Sequence, residues 1–318
     1  MNVLSLFDGI SCARVALDRA GIQVKTYSAS EIDKNAIKVS QENYPDIVRL
    51  GDVRHIQSID EQIDLLIGGS PCVDLSIAKK DRKGLEGDRS SLFYEYVRIR
   101  NLLKPKYFIL ENVASMPKKD KDIITKELGV EPVMFNASLV SAQSRKRYFW
   151  TNIQFDLPAD KNIKLKDILQ PDAEVDERFL TKDKSFCLTA SYSKTSQFPK
   201  EKEAEHEAEK KQRTLVCLVQ DIGRRLDEDG KRHDGDTNYP ITRRLEVRDG
   251  DKSKTLTSVM KDNMILRNEK IRKLTPIECE RLQGLPDDYT KSISMTNRYK
   301  CLGNAFNVDV VAHILKSM

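Results

Sequence analysis

The run Leu65-Leu66-Ile67-Gly68-Gly69-Ser70-Pro71-Cys72 decides the fold of this chain. Its apolar first half is typical of a buried strand, the glycines end that strand, and the proline fixes the backbone before the thiol. A second apolar run, 107–110, is followed by Glu111-Asn112-Val113. Ligands of open α/β sheets bind at the carboxyl ends of strands. We therefore expect Cys72 and Glu111 side by side, as candidate nucleophile and candidate acid or base, although a lone cysteine is more often an ordinary buried thiol.

The first half of the chain alternates strand and helix patterns. Predicted strands cover 3–7, 25–30, 48–53, 64–67 and 106–110, and predicted helices cover 12–20, 34–42 and 91–103. Strands separated by helices of this length indicate a parallel, doubly wound α/β sheet. Two later apolar runs, 132–139 and 147–153, have no long helix between them, and they predict an antiparallel pair that closes one sheet edge.

The pattern changes after about residue 155. Segments rich in Gly, Asp and Arg predict loops between short strands, and the charged residues 200–213 predict an exposed helix or a linker. Helical signals return with the capping sequence Thr275-Pro276-Ile277-Glu278, and a last apolar helix is predicted at 306–315. We predict a large domain at 1–155, completed by 300–318, and a smaller β-rich domain with a connecting helix at 156–299.

Composition is typical of a globular protein of the reduced cytosol. The 318 residues carry a net charge of +5, and the mean hydropathy is −0.53. No apolar run approaches the roughly 18 residues of a membrane helix, and the first residues show no secretory pattern. The six cysteines form no Cys-x-x-Cys pair and the four histidines are dispersed, so we expect neither disulfides nor a metal site.

Basic clusters recur along the chain. They lie at 79–80, 82–83, 145–147, 224–225, 243–244 and 267–273. Each cluster alone is typical of a solvated face, but several together predict a basic groove of the kind that binds nucleic acid.

The turn Phe7-Asp8-Gly9-Ile10-Ser11 joins the first strand to the first helix. Gly9 permits a tight turn, and the small Ser11 lets a ligand approach the helix N-terminus. An acid after the second strand, Glu31, suits ribose hydroxyls, and an acid after the third, Asp52, could accept a hydrogen bond from an adenine amino group. In this order the signals favour an adenosine-containing cofactor, whereas either acid alone is equally typical of a helix N-cap.

Taken together, the motifs resemble the DNA (cytosine-5)-methyltransferase family. The resemblance covers the chain outside roughly 155–265, with matches at 7–9, 31, 51–53, 70–72, 111–113, 143–147, 281–287 and 303–306. Stretches 7–10, 70–76 and 147–150 are similar to the animal de novo enzymes, and phage and bacterial enzymes of that type exist. Ser11 and Cys12 stand where many members have glycine, and Ser70 stands where many have proline.

The resemblance implies a Rossmann-like, S-adenosylmethionine-dependent methyltransferase domain, with a smaller β-rich target-recognition domain inserted before the last helix. The partner it implies is double-stranded DNA, bound by a monomer, and a cognate restriction endonuclease is a candidate second partner. The residues expected to hold S-adenosylmethionine are Phe7, Asp8, Gly9, Ile10, Ser11, Glu31, Ile32, Asp52, Val53, Ser70, Leu92, Asn304, Ala305 and Phe306.

The same resemblance implies a mechanism. Cys72 adds to C6 of a flipped-out cytosine, and Glu111 hydrogen-bonds N3 and the exocyclic amine, which requires a raised pKa. Asn112 fixes its loop, while Arg145 and Arg147 lie near the base and the thiol, unless one of the two binds phosphate instead. The loop 73–90 closes over the base.

Two other functions remain open from the sequence. A tRNA cytosine methyltransferase uses the same scaffold, although that branch carries a different run after the catalytic cysteine. A catalytically silent, DNA-binding homologue typically loses the cysteine or the Glu-Asn pair, and both are present here. The recognition sequence is not readable from 155–270, where Arg224, Arg225, Arg243 and Arg244 are the candidate base readers.

Overall fold

Five apolar runs of the first half form a parallel sheet. The computed structural model describes residues 1–71, 92–170 and 274–318 with their side chains and, between 171 and 273, the backbone of five strands. The parallel strands are β1 (Asn2–Leu6), β2 (Thr26–Ser30), β3 (Val48–Gly51), β4 (Leu65–Gly68) and β5 (Tyr107–Val113). Their order, β3-β2-β1-β4-β5, confirms the predicted doubly wound sheet.

The antiparallel edge is also confirmed. β6 (Val133–Asn136) and β8 (Lys146–Thr151) extend the sheet as β5-β8-β6, and β7 (Gln143–Ser144) lies just before β8. One boundary differs from the prediction: β5 continues through Glu111 to Val113, because β8 pairs with that end and places Phe149 opposite Glu111. The candidate catalytic residues of β5 therefore lie within a paired strand, which restrains their backbone.

Helices cover both faces of the sheet. They are α1 (Cys12–Ala20), α2 (Lys34–Asn43), α3 (Phe93–Leu103), α4 (Lys118–Leu128) and the short α5 (Leu165–Ile168). Leu65 and Ile67 of β4 belong to one core cluster and Leu66 belongs to the other. A strand buried on both faces must be apolar at every position, which explains the continuous run in the sequence.

The inserted region contains a separate antiparallel sheet. β9 (Cys217–Arg225), β10 (Ile241–Arg248), β12 (Met264–Arg267) and β13 (Lys270–Lys273) are ordered β10-β9-β12-β13. The two-residue β11 (Ser253–Lys254) pairs in parallel with β7, immediately before the Arg145 segment. The predicted β-rich character of the insert is confirmed for these strands.

Three helices close the chain: α6 (Pro276–Leu282), α7 (Met295–Asn304) and α8 (Val308–Leu315). α6 begins with the predicted capping box between Thr275 and Glu278. α8 begins at 308, two residues later than predicted, because the Asn307 side chain caps it by accepting from the Val310 N–H. Leu274 and Leu282 share a core cluster with β4, while the exact domain boundaries stay a prediction.

Three helices were not predicted: α4, the one-turn α5 and α7. α4 is highly charged and buries only Asp120, Ile124 and Leu128, so it carries a weak apolar period. Within the described ranges, no helix is long and apolar enough to cross a membrane.

Candidate active site

A buried amide joins the ends of β4 and β5. Asn112, only 1% exposed, donates from Nδ2 to the Ser70 hydroxyl at 3.1 Å and to the Ser70 carbonyl at 3.3 Å. Its Oδ1 accepts from the Val113 N–H. These bonds join the end of β5 to the turn that leads to Cys72. Cys72 and the loop 73–90 lie outside the described residues.

Glu111 and Arg147 form a half-buried ion pair. The Nε of Arg147 lies 2.7 Å from Oε1 of Glu111. The other carboxylate oxygen borders Gly69, where an added Cβ would lie 3.2 Å from Oε2 of Glu111 and 2.7 Å from the Phe306 ring. Only glycine permits this close approach between the β4 turn, the carboxylate and Phe306.

Arg145 has different partners from Arg147. Its guanidinium, in a side chain 4% exposed, donates to the Ala305 carbonyl at 2.8 Å and to the Gly303 carbonyl at 3.4 Å. It therefore supports the turn between α7 and α8. Both arginines line a small pocket with Glu111 and Phe306, so the structure brings the two predicted arginines together but gives them different partners.

The first loop is attached to the end of β2 through Glu31. One Glu31 oxygen accepts from the Gly9 N–H at 2.8 Å, and the other accepts from the N–H groups of Ile32 and Asp33. Gly9 has a φ of 60°, and an added Cβ there would meet no atom within 4 Å. Ile32 is 67% exposed. Together these residues form an open, partly apolar cradle with a carboxylate at its edge.

Asp52 is an N-cap, which is the second role that the sequence left open for this acid. It caps a short 3-10 helix, Val53–His55, and accepts three hydrogen bonds from the Arg54 side chain, two from Nε and one from Nη2. These contacts with Arg54 lower the pKa of Asp52 to about 2. The Val53 side chain is buried in a core cluster. An adenine contact from Asp52 stays a prediction.

The remaining predicted cofactor residues divide into buried and accessible ones. The side chains of Asp8, Ile10, Ser11, Ser70 and Ala305 are buried, those of Phe7, Leu92 and Phe306 are partly buried, and that of Asn304 is exposed. Asp8 and Ser11 contact residues that the sequence did not single out, namely Tyr27 and Ser40. Polar residues at Thr26, Tyr27, Ser28 and Ser30 of a strand that is largely buried were the signal in the sequence.

The described thiols are poor nucleophiles. Cys12, Cys279 and Cys301 are all buried, and desolvation raises the pKa of each, to about 12 for Cys301. A protonated thiol does not attack, which leaves Cys72, Cys187 and Cys217 as possible nucleophiles. In the part of the chain that the structure describes, no cluster of His, Cys, Asp and Glu could hold a metal ion.

A family model described as C-5 cytosine-specific DNA methylase matches residues 1–318. The chain belongs to this family. The resemblance drawn from the motifs is confirmed. The methylase is 28% identical to the Type II methyltransferase M.HhaI of Haemophilus parahaemolyticus, over 99% of this chain and 93% of that protein.

Solved structures agree in fold. A putative DNA modification methyltransferase encoded within a prophage of E. coli matches with a TM-score of 0.63 and 22% identity, over 100% of this chain and 98% of that one. The S. pombe Dnmt2 methyltransferase matches with a TM-score of 0.57 and 15% identity, over 99% and 97%. At these identities the likeness concerns the fold alone, and it confirms the predicted fold class of the methylase.

Proposed function

We propose that the chain methylates C5 of a cytosine within a specific duplex DNA sequence, with Cys72 as the nucleophile and S-adenosylmethionine as the methyl donor. A thiolate that adds at C6 converts the ring into an enamine, whose C5 can take a methyl group. Loss of the C5 proton then expels the thiolate and restores the ring. The observation that carries the proposal is the Glu111–Arg147 ion pair beside the turn that leads to Cys72.

Glu111 is suited to hold the cytosine. Its Oε1 is engaged by Arg147, and its Oε2 borders Gly69, where there is no side chain. A carboxyl group in this position can hydrogen-bond N3 and the exocyclic amine and stabilise the charge that develops on the ring. Both groups are hidden in a duplex, so the proposal includes extrusion of the cytosine from the helix. Arg147 keeps the carboxyl group oriented during this step.

The residues of the first loop fit S-adenosylmethionine. The open space above Gly9, the Glu31 carboxylate and the exposed Ile32 suit a small backbone-bound group, ribose hydroxyls and an adenine ring, respectively. When bound, S-adenosylmethionine supplies the methyl group as a sulfonium. The chain's own residues hold it through Phe7–Ser11, Glu31, Ile32, the 52–53 segment and the 304–306 turn. Ser70 and Leu92 complete the expected set.

The inserted region is proposed to choose the DNA sequence. The candidate readers Arg224 and Arg225 lie on β9, and Arg243 and Arg244 lie on β10, which pairs with β9. The positive net charge supports binding to a phosphate backbone. Action as a monomer in the cytosol, and association with a cognate restriction endonuclease, belong to the same proposal.

A mechanism-based trap tests the nucleophile. A duplex containing 5-fluorocytosine should capture the wild-type protein as a covalent adduct when S-adenosylmethionine is present, because fluorine does not leave as a proton does. Cys72→Ala should form no adduct yet retain DNA binding. Cys301→Ala is the matched control, since that thiol is held protonated by burial, and it should form the adduct in wild-type yield.

Two outcomes would contradict the proposal. An adduct of unchanged yield in Cys72→Ala would assign the nucleophile to Cys187 or Cys217. Methylation of tRNA but not of duplex DNA in a parallel assay would favour the tRNA enzyme instead.

A further inference from the structure

The first loop has a costly backbone conformation. Phe7, Gly9 and Ser11 all have positive φ angles, of 57°, 60° and 60°. Glycine adopts this region freely, but a bulky aromatic or a serine does so only at a cost in free energy. Such a loop persists only where the surrounding structure holds it in place.

A buried polar network lies beneath this loop. Tyr27 donates from Oη to Oδ1 of Asp8 at 2.7 Å, and the Ser11 hydroxyl donates to Oδ2 of the same carboxylate. The Ser11 hydroxyl is also hydrogen-bonded to that of Ser40, which accepts from Nη2 of Arg49 at 2.7 Å. Nη1 of Arg49 lies 3.8 Å from the Asp8 carboxylate. The network therefore connects β1, β2, α2 and β3 under one loop.

The burial of this network indicates that its side chains support the protein's own structure and do not contact a ligand. Asp8, Ser11, Tyr27 and Ser40 are all buried, and desolvation raises the pKa of Asp8 in spite of its hydrogen bonds. Ser11 stands at the N-cap position of α1 but makes no capping hydrogen bond, because its hydroxyl turns down to Asp8. Because Ser11 has a positive φ and makes no capping bond, we infer that its side-chain hydrogen bonds hold it in this conformation.

A second carboxylate also holds the loop. Glu31 accepts from the Gly9 N–H, whereas Asp8 accepts from the Ser11 hydroxyl. Between the two anchors, Gly9 faces open space. The contacts leave Gly9 as the part of the loop that a ligand can approach.

We propose that Asp8 and Ser11, together with Tyr27, Ser40 and Arg49, are positioning residues that set the loop for S-adenosylmethionine without touching it. The inference rests on the proposed function, and it replaces a direct cofactor contact from the side chains of Asp8 and Ser11. The sequence placed these two residues in the cofactor site because of where they stand in the turn. The structure assigns them to the support below it.

Calorimetric titration with S-adenosylhomocysteine tests the proposal without catalysis. Ser11→Gly removes the steric cost of the positive φ and also removes the hydroxyl. A weaker affinity in this variant would therefore come from the lost hydrogen bonds and not from the backbone conformation. We expect Ser11→Gly and Ser11→Ala to raise the Kd about tenfold, as for loss of one buried hydrogen bond. Tyr27→Phe, which keeps the ring and loses one bond to Asp8, should act in the same direction.

Controls separate positioning from general stability. Ser141→Ala removes a buried hydroxyl that donates to the Leu282 carbonyl, far along the chain from the loop, and should change the melting temperature but not the Kd. Hydrogen exchange of the 7–11 backbone should be faster in Tyr27→Phe than in wild type. A Kd within about twofold of wild type in both Ser11→Gly and Tyr27→Phe would overturn the inference and leave the proposed function standing. Failure of the wild-type protein to bind S-adenosylhomocysteine would overturn both.

Discussion

The two ends of the edge where the parallel strands terminate differ in the partners of their polar side chains. At the ends of β2 and β3, carboxylates have partners nearer in the chain. Glu31 accepts from the N–H groups of Gly9, Ile32 and Asp33, and Asp52 pairs with the neighbouring Arg54. At the ends of β4, β5 and β8, side chains contact groups that are distant in the chain. Arg145 bonds the Ala305 carbonyl 160 residues away.

Under the proposed function, this difference separates cofactor binding from chemistry. A carboxylate that satisfies backbone N–H groups shapes a loop, and its loss weakens that loop by a moderate amount. A carboxyl group aimed at the reacting ring affects the transition state directly, and its loss reduces the rate strongly. We therefore expect substitutions at the two ends to affect different measured quantities.

The largest effect should come from Glu111→Gln. The amide keeps the size of the side chain but cannot carry the charge that Arg147 orients, so kcat should fall roughly 100- to 1,000-fold. Methyl incorporation into duplex DNA measures this loss. Glu131→Gln is the control, because Glu131 is an exposed acid 3.9 Å from Lys121. If Glu111→Gln kept the wild-type kcat, the two ends of the sheet edge would not differ in their effect on the chemical step.

An intermediate effect should distinguish the two arginines. Lysine cannot reproduce the contacts of Arg145 with two carbonyls, so Arg145→Lys should lower the free energy of unfolding by about 1–3 kcal/mol. Arg147→Lys, at a half-buried ion pair, should lower kcat with a smaller change in stability. Urea unfolding and single-turnover rates measure the two quantities. Equal losses of stability in both variants would show that the arginines share one task.

The smallest effect should separate the two strand-end acids. Glu31→Ala leaves three backbone N–H groups without their acceptor and should weaken S-adenosylmethionine binding by about 1–3 kcal/mol. Asp52→Ala breaks a contact with the exposed Arg54 and should weaken it by less than about 1 kcal/mol. Calorimetry on both variants checks the order. A larger loss in Asp52→Ala would indicate a direct adenine contact.

Local patterns in the sequence were sufficient for most of the elements. The parallel strands, the cap at Thr275 and the family were all predicted, because apolar periodicity, capping residues and motif order are properties of short segments. α4 and α7 escaped prediction because charged residues weaken their apolar period. The turn of Gly69 was readable as a turn, but its contact with Phe306 was not.

By itself, the sequence determined the order of the parallel strands, the positions of Glu31 and Asp52 directly after their strands, and the family. Tertiary structure alone decided which of the candidate side chains are buried against the protein and which stay accessible. In the folded protein, Asp8 and Ser11 are hydrogen-bonded to the buried Tyr27 and Ser40. Arg145 binds carbonyls of the 303–305 turn, and Arg147 pairs with Glu111. These contacts depend on strand register and helix packing between distant segments, and residue spacing within any one segment does not encode them.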